Sequence, residues 1–139
     1  MKTVLYRLWQ CTWGLPQTLL GGALFLRHRR APHRTYRGAV VTQWPSRGGI
    51  SLGMFVFVPA AQGEGEAAAA RARRVLLHEF GHTLQSLLLG PLYLPVIGVP
   101  SFLWCNLPAL RRRRKERGIS YYAFYTERWA DAWGLGKEE

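Results

Sequence analysis

The 139-residue sequence predicts an α+β fold, with a β-hairpin packed on one long helix and a second helix closing the C-terminal end. Three observations predict it. Residues 36–44 and 50–58 (YRGAVVTQW and ISLGMFVFV) are rich in β-branched and aromatic residues and flank the turn-forming run PSRGG. Residues 66–89 run without proline from the alanine-rich start Ala67–Ala70 to a Gly90-Pro91 stop. Residues 119–133 form a last helix, with Gly134 placed to cap it.

In chain order, residues 4–26 are apolar and aromatic but interrupted by Arg7, Gln10, Pro16 and Gln17. The stretch is short for a clean membrane span. The basic run RHRR follows it, and no small-residue cleavage site is evident. Residues 1–35 are therefore expected to form an apolar anchor or interfacial helix with a basic flank, and residues 36–139 a compact domain. In the second strand Ile50, Leu52, Met54, Val56 and Val58 are expected on one face, and Gly53 permits close backbone approach. Pro59 to Gly65 is a loop. Residues 87–110 are an apolar insertion, and four prolines after position 90 rule out one straight helix. The run RRRRKERG is expected as a polar connector.

The composition excludes several classes. Nineteen Lys+Arg against eight Asp+Glu give a formal charge of +11, yet 48% of the residues are hydrophobic and six are Trp. A disordered basic tail lacks that apolar content. Two distant cysteines, Cys11 and Cys105, exclude a disulfide scaffold. A mean hydropathy of -0.09 excludes a polytopic channel. The basic residues cluster at Arg27 to Arg37, at Arg71 to Arg74 and at Arg111 to Arg117. The first and third clusters follow the two most apolar stretches, a pattern that suits an anionic membrane surface. A nucleic-acid partner is disfavoured, because no helix-turn-helix, RNA-recognition or zinc-finger pattern is present.

The chemistry sits in His78-Glu79-Phe80-Gly81-His82, an HExxH run inside the long helix. Residues four apart share a helix side, so both imidazoles can grip one metal. Glu79 lies about 100° from His78 around the axis, beside that grip. Zinc suits two imidazoles and a carboxylate with one position left for water, whose pKa it lowers to about 7. Glu79 is then the general base. On the last helix Glu127 and Asp131 are again four apart. One carboxylate can complete the metal site, and the other can accept the free ring N–H of a ligating histidine. Ala123, Ala130 and Gly134 lie near the same side and allow the two helices to approach closely.

HExxH followed by ExxAD on a later helix resembles the gluzincin branch of the zincin metallopeptidases, in particular the CAAX prenyl protease and HtpX-like pattern. The resemblance covers residues 66–135 and implies a minimal zincin-like core. It implies His78, His82 and Glu127 as zinc ligands, Glu79 as catalytic base and Asp131 as the partner of His78. The longer string HEFGHTLQSLLLGPLYLPVIGVPS also resembles small bacterial proteins that share it. In zincins a strand beside the active-site helix pairs with substrate, and Leu52, Gly53 and Met54 are the candidates here. No His follows Glu127, so Tyr121, Tyr122 and Tyr125 are the candidate transition-state donors.

His82 and Glu127 must lie on one side of any membrane to share a metal. Leu87 to Leu110 therefore cannot cross once, and a re-entrant or surface path is expected. The expected function is a zinc-dependent metallopeptidase acting on peptide bonds at a bacterial cytoplasmic membrane, with the metal site on the cytoplasmic side. The alternatives are a non-catalytic zinc-stabilised module that binds a membrane surface or partner, and a basic nucleic-acid-binding protein.

Overall fold

The computed structural model of the chain describes residues 2–60 and 63–135. Two helices, α1 (Lys2–Thr12) and α2 (Leu15–Arg27), precede four strands: β1 (His33–Tyr36), β2 (Ala39–Trp44), β3 (Ile50–Leu52) and β4 (Phe55–Pro59). The long helix α3 (Glu66–Leu89) follows. A 3-10 turn (Gly90–Leu92) and a π-helical turn (Leu94–Gly98) lead into α4 (Val99–Asn106) and α5 (Pro108–Arg117). A second 3-10 turn (Tyr121–Ala123) precedes α6 (Tyr125–Leu135). The α+β class and the bounds of α3 are as the sequence predicts.

The strands differ from the expected hairpin. Each β-rich run is broken by its own tight turn, at Arg37-Gly38 (φ 48° and 99°) and at Gly53 (φ 63°). Positive φ suits two-residue hairpin turns. The result is two short hairpins in one sheet of order β1-β2-β4-β3. The strands on either side of PSRGG, β2 and β3, do not pair with each other: β2 runs parallel to β4, with Val41 opposite Val56, and β3 pairs antiparallel on the far side of β4, with Ser51 opposite Val56. The turn at Gly53 also resets the alternation. Val56, Val58 and Met54 face the α3 side, with Val56 fully buried in the core. Leu52 instead lies against α2 at Gly21.

The sheet is thus sandwiched. Ala39, Val41, Val56, Leu76, Phe80 and Tyr6 form the core between sheet and α3. On the other face Phe25 of α2 meets Phe55, and His28 meets Phe57.

Residues 2–27 pack onto the rest of the fold through buried hydrogen bonds. Gln10 donates to the Thr83 carbonyl (3.0 Å) and accepts from the Ser86 hydroxyl (2.8 Å). Gln17 donates to Ser86 Oγ (2.7 Å) and to the Gly90 carbonyl (2.9 Å). With Tyr6 in the core, both helices belong to the same packed body as residues 36–135. The polar residues that interrupt the apolar run are the ones that point inward.

Two further elements depart from expectation. The basic connector is helix α5, because no proline or glycine interrupts it before Gly118, whose left-handed φ of 62° ends it. Helix α6 starts at Tyr125, so Gly134 lies inside it and serves packing instead of capping. The stretch 90–110 is broken into short helical pieces, as its prolines require. No helix among the described residues is long and apolar enough to cross a membrane.

Candidate metal centre

The centre is made by the contact of α3 with α6. A Cβ on Gly81 would run into the Ala130 carbonyl, and one on Gly134 would run into the Leu77 carbonyl. The backbones therefore touch, which only small residues permit. This contact sets the HExxH side of α3 against the Glu127 side of α6.

Three ligand atoms converge there. His78 Nε2 lies 2.7 Å and His82 Nε2 3.1 Å from the same oxygen, Glu127 Oε2. One ligand atom from each residue lies within 4.8 Å of the others, and all three residues are buried. Tetrahedral zinc ligands at about 2.0–2.1 Å sit about 3.3 Å from one another, so the three groups are gathered closely enough to hold one metal after local adjustment.

Each ligand is held from behind. His78 Nδ1 donates to Asp131 Oδ1 at 2.7 Å, which leaves Nε2 to face Glu127. Asp131 is in turn gripped by Arg74 at 3.1 Å, and the Arg74 guanidinium covers the Tyr122 ring. His82 Nδ1 donates to Gln85 Oε1 at 2.6 Å, and the Gln85 amide donates to the Thr126 carbonyl at 3.0 Å. The second carboxylate oxygen of Glu127 accepts from Ser101 and from Thr126. Oriented ring N–H groups and tied carboxylates are what a metal site needs behind its ligands.

The charges agree with this convergence. Burial opposes the imidazolium of His78, but the hydrogen bond to Glu127, the charge of Glu79 and the hydrogen bond to Asp131 outweigh it, raising the pKa to about 9. His82 is raised against the same burial, chiefly by its bond to Glu127. Burial pushes the Glu127 carboxyl up, yet the hydrogen bonds from His78 and His82 hold it well below the ordinary carboxylate range. Two imidazoles and one carboxylate in a dry site are a set that a divalent cation can replace protons in.

Glu79 is also buried, and burial raises its carboxyl pKa. The Ser51 hydroxyl lies 2.6 Å from its backbone carbonyl and 3.1 Å from Oε2. A Cβ on Gly49 would strike the same carboxylate. The edge strand β3 thus meets the HExxH helix at Gly49 to Ser51. The predicted strand residues Leu52, Gly53 and Met54 lie beyond, at the β3–β4 turn, where Gly53 abuts Thr18 of α2.

The three tyrosines separate. The Tyr121 phenol is raised first by burial and then by the charges of Glu127 and Glu79. Tyr122 meets the His78 ring edge-on, with centroids 5.1 Å apart. Tyr125 donates its hydroxyl to the Val96 carbonyl at 2.7 Å and is turned away from the ligands. Sequence reasoning missed Gln85, Ser51, Ser101 and Arg74. Gln85 had a signal, three residues after His82 on one helix face. Ser51 and Ser101 come from distant segments and had none.

A separate cleft of about 400 Å³ lies over the first half of α3, between Arg34, Arg47, Val58 and Leu76. It contains none of the metal-cluster residues, and the chemistry points to the cluster. No family model, curated protein or solved structure matches this chain.

Proposed function

We propose that the protein is a zinc-dependent hydrolase of peptide bonds, built on a minimal zincin-like core. The observation that supports this best is the convergence of His78 and His82 on one Glu127 oxygen, with the Glu79 carboxylate on the adjacent turn position. Zinc held there would supply a Lewis acid and an acidified water at its remaining position. Beside such a site the Glu79 carboxylate would serve as proton acceptor and as proton donor to the leaving amine. Ser51 positions the base. Tyr121 and Tyr122, whose rings lie 6.4 and 5.1 Å from the His78 ring, are the candidate donors to an oxyanion. The β3 edge at Gly49 to Ser51 is where an extended peptide would add as a strand.

The zinc-loaded parent is expected to cleave members of a peptide library, and Glu79→Gln to lose about 100-fold or more while keeping its zinc. Equal activity of the two proteins removes Glu79 from this role.

A second reading is favoured by one observation. His78, Glu79 and His82 are 3%, 6% and 4% exposed, and Glu127 is fully buried. A closed centre of that kind suits a metal that ties helices together without turnover. A zinc-loaded, folded chain that cleaves no peptide, and whose metal holds no exchangeable water, selects that reading.

A further inference from the structure

Helices α1 and α2 are built inside out. Their buried residues are Tyr6, Gln10, Gln17, Thr18 and Gly21. Their water-facing residues include Leu5 (60% exposed), Leu8, Trp9, Leu19 (63%), Leu20 and Leu26. A helix pair packed on a soluble core normally shows the reverse. Here Gln10 and Gln17 reach inward to Thr83 and Ser86 of α3 and to the Gly90 carbonyl, and the outward side carries exposed leucines and Trp9. Exposed Leu88 and Leu92 extend it past the end of α3, next to the 3-10 turn that α2 contacts. An apolar face of this extent marks an interaction site.

Three further observations say what covers it. The indole N–H groups of Trp9 and Trp13 donate to the Leu87 and Leu88 carbonyls at 2.8 and 3.3 Å, so both half-exposed rings present apolar faces with no donor left over. The chain has no Asp or Glu before Glu64, and none between Glu79 and Glu116. The α1–α2 face and residues 80–115 are therefore free of acid. Arg27, Arg29 and Arg30 stand exposed where α2 ends. A second copy fits poorly, because a two-fold interface would set this basic rim against itself with no carboxylate to receive it. An anionic lipid surface supplies both the apolar layer and the negative charge. The helices, of 11 and 13 residues, are too short to cross about 30 Å of hydrocarbon, so the seat is shallow.

We propose that the outward face of α1 and α2, continued by Leu88 and Leu92, docks the protein into the headgroup and upper acyl layer of an anionic bilayer. The docking stands apart from the hydrolytic chemistry, since a metal-free chain keeps the same face.

The test uses the full chain with phosphatidylcholine vesicles, with and without about one third phosphatidylglycerol. The expected result is co-sedimentation at least about tenfold stronger with the anionic vesicles, and quenching of Trp emission by lipids brominated on the acyl chains. A Leu19→Gln/Leu20→Gln variant changes only exposed side chains. It is expected to keep the parent's circular dichroism and to lose partitioning about tenfold or more. The variant Arg29→Gln/Arg30→Gln is expected to weaken anionic-vesicle binding while leaving neutral-vesicle binding unchanged. The proposal is overturned if the parent stays in the supernatant with anionic vesicles, or if it sediments without quenching. It is also overturned if light scattering shows a dimer that the leucine variant dissociates, which assigns the face to a second copy.

Discussion

Each ligand is more than a ligand: it carries a partner that fixes its orientation. Asp131 and Gln85 hold the two histidines by different chemistry, a carboxylate on one and an amide on the other. Asp131→Ala is expected to weaken zinc affinity about 10- to 100-fold, measured by competition with a chelating dye. Gln85→Leu is expected to do the same through His82. Glu127 is in a different position, because its carboxylate compensates two raised imidazoles. Glu127→Ala in the metal-free chain strands them, and a loss of about 3–5 kcal/mol in denaturant unfolding is expected. The pH dependence follows from His78. Its pKa is raised from 6.5 to about 9, so its contribution to the metal-free fold is fully present below pH 6.5 and fades as pH rises through 9. Zinc binding requires the neutral imidazoles, so the loaded protein should not show that fading. Melting curves of chelated and zinc-loaded protein between pH 6 and 10 check this, and parallel profiles contradict it.

At the level of elements, the contact of α3 with α6 does the positioning. Gly81 and Gly134 let the two backbones touch, so Gly81→Val must push α6 away from the histidines. An overpacking cost of about 1–3 kcal/mol or more is expected, together with loss of zinc. Helix α3 was legible because its signal is local: an alanine-rich start, unbroken helix formers and a Gly-Pro stop. The closeness of α6 was legible in Ala130 and Gly134. The strand pairing was not, because two short turns at Arg37-Gly38 and Gly53 decide it, and a long β-rich run hides a two-residue turn. Gly134 was misread as a cap for a related reason. A glycine near a helix end serves as cap or as contact, and only the neighbouring helix decides which.

For the whole molecule, the His78, His82 and Glu127 group brings together segments far apart in the chain. His78 and Glu127 are 49 residues apart, and Ser101 on α4 reaches the same carboxylate. Removing the ion should therefore loosen α3, α4 and α6 together, and saturating zinc should raise stability by about 2.7 kcal/mol at 100 times the dissociation constant. The two histidines and a later pair of carboxylates were legible from spacing, which left Glu127 and Asp131 interchangeable; the resemblance to gluzincins implied Glu127, and it is Glu127 that meets both imidazoles. The place of residues 2–27 was not legible. Their apolar residues dominate the sequence and point to an anchor or interfacial helix, and their few polar residues, which carry the bonds into α3, give no local sign of that packing. The most direct measurement of the central claim is metal analysis of the purified, folded chain, with X-ray absorption at the zinc edge. One equivalent of zinc is expected, bound by two imidazoles and a carboxylate at about 2.0–2.2 Å, and lost in His78→Ala. A folded parent that takes up no zinc after dialysis against it, or that binds it equally in His78→Ala, contradicts the metal centre.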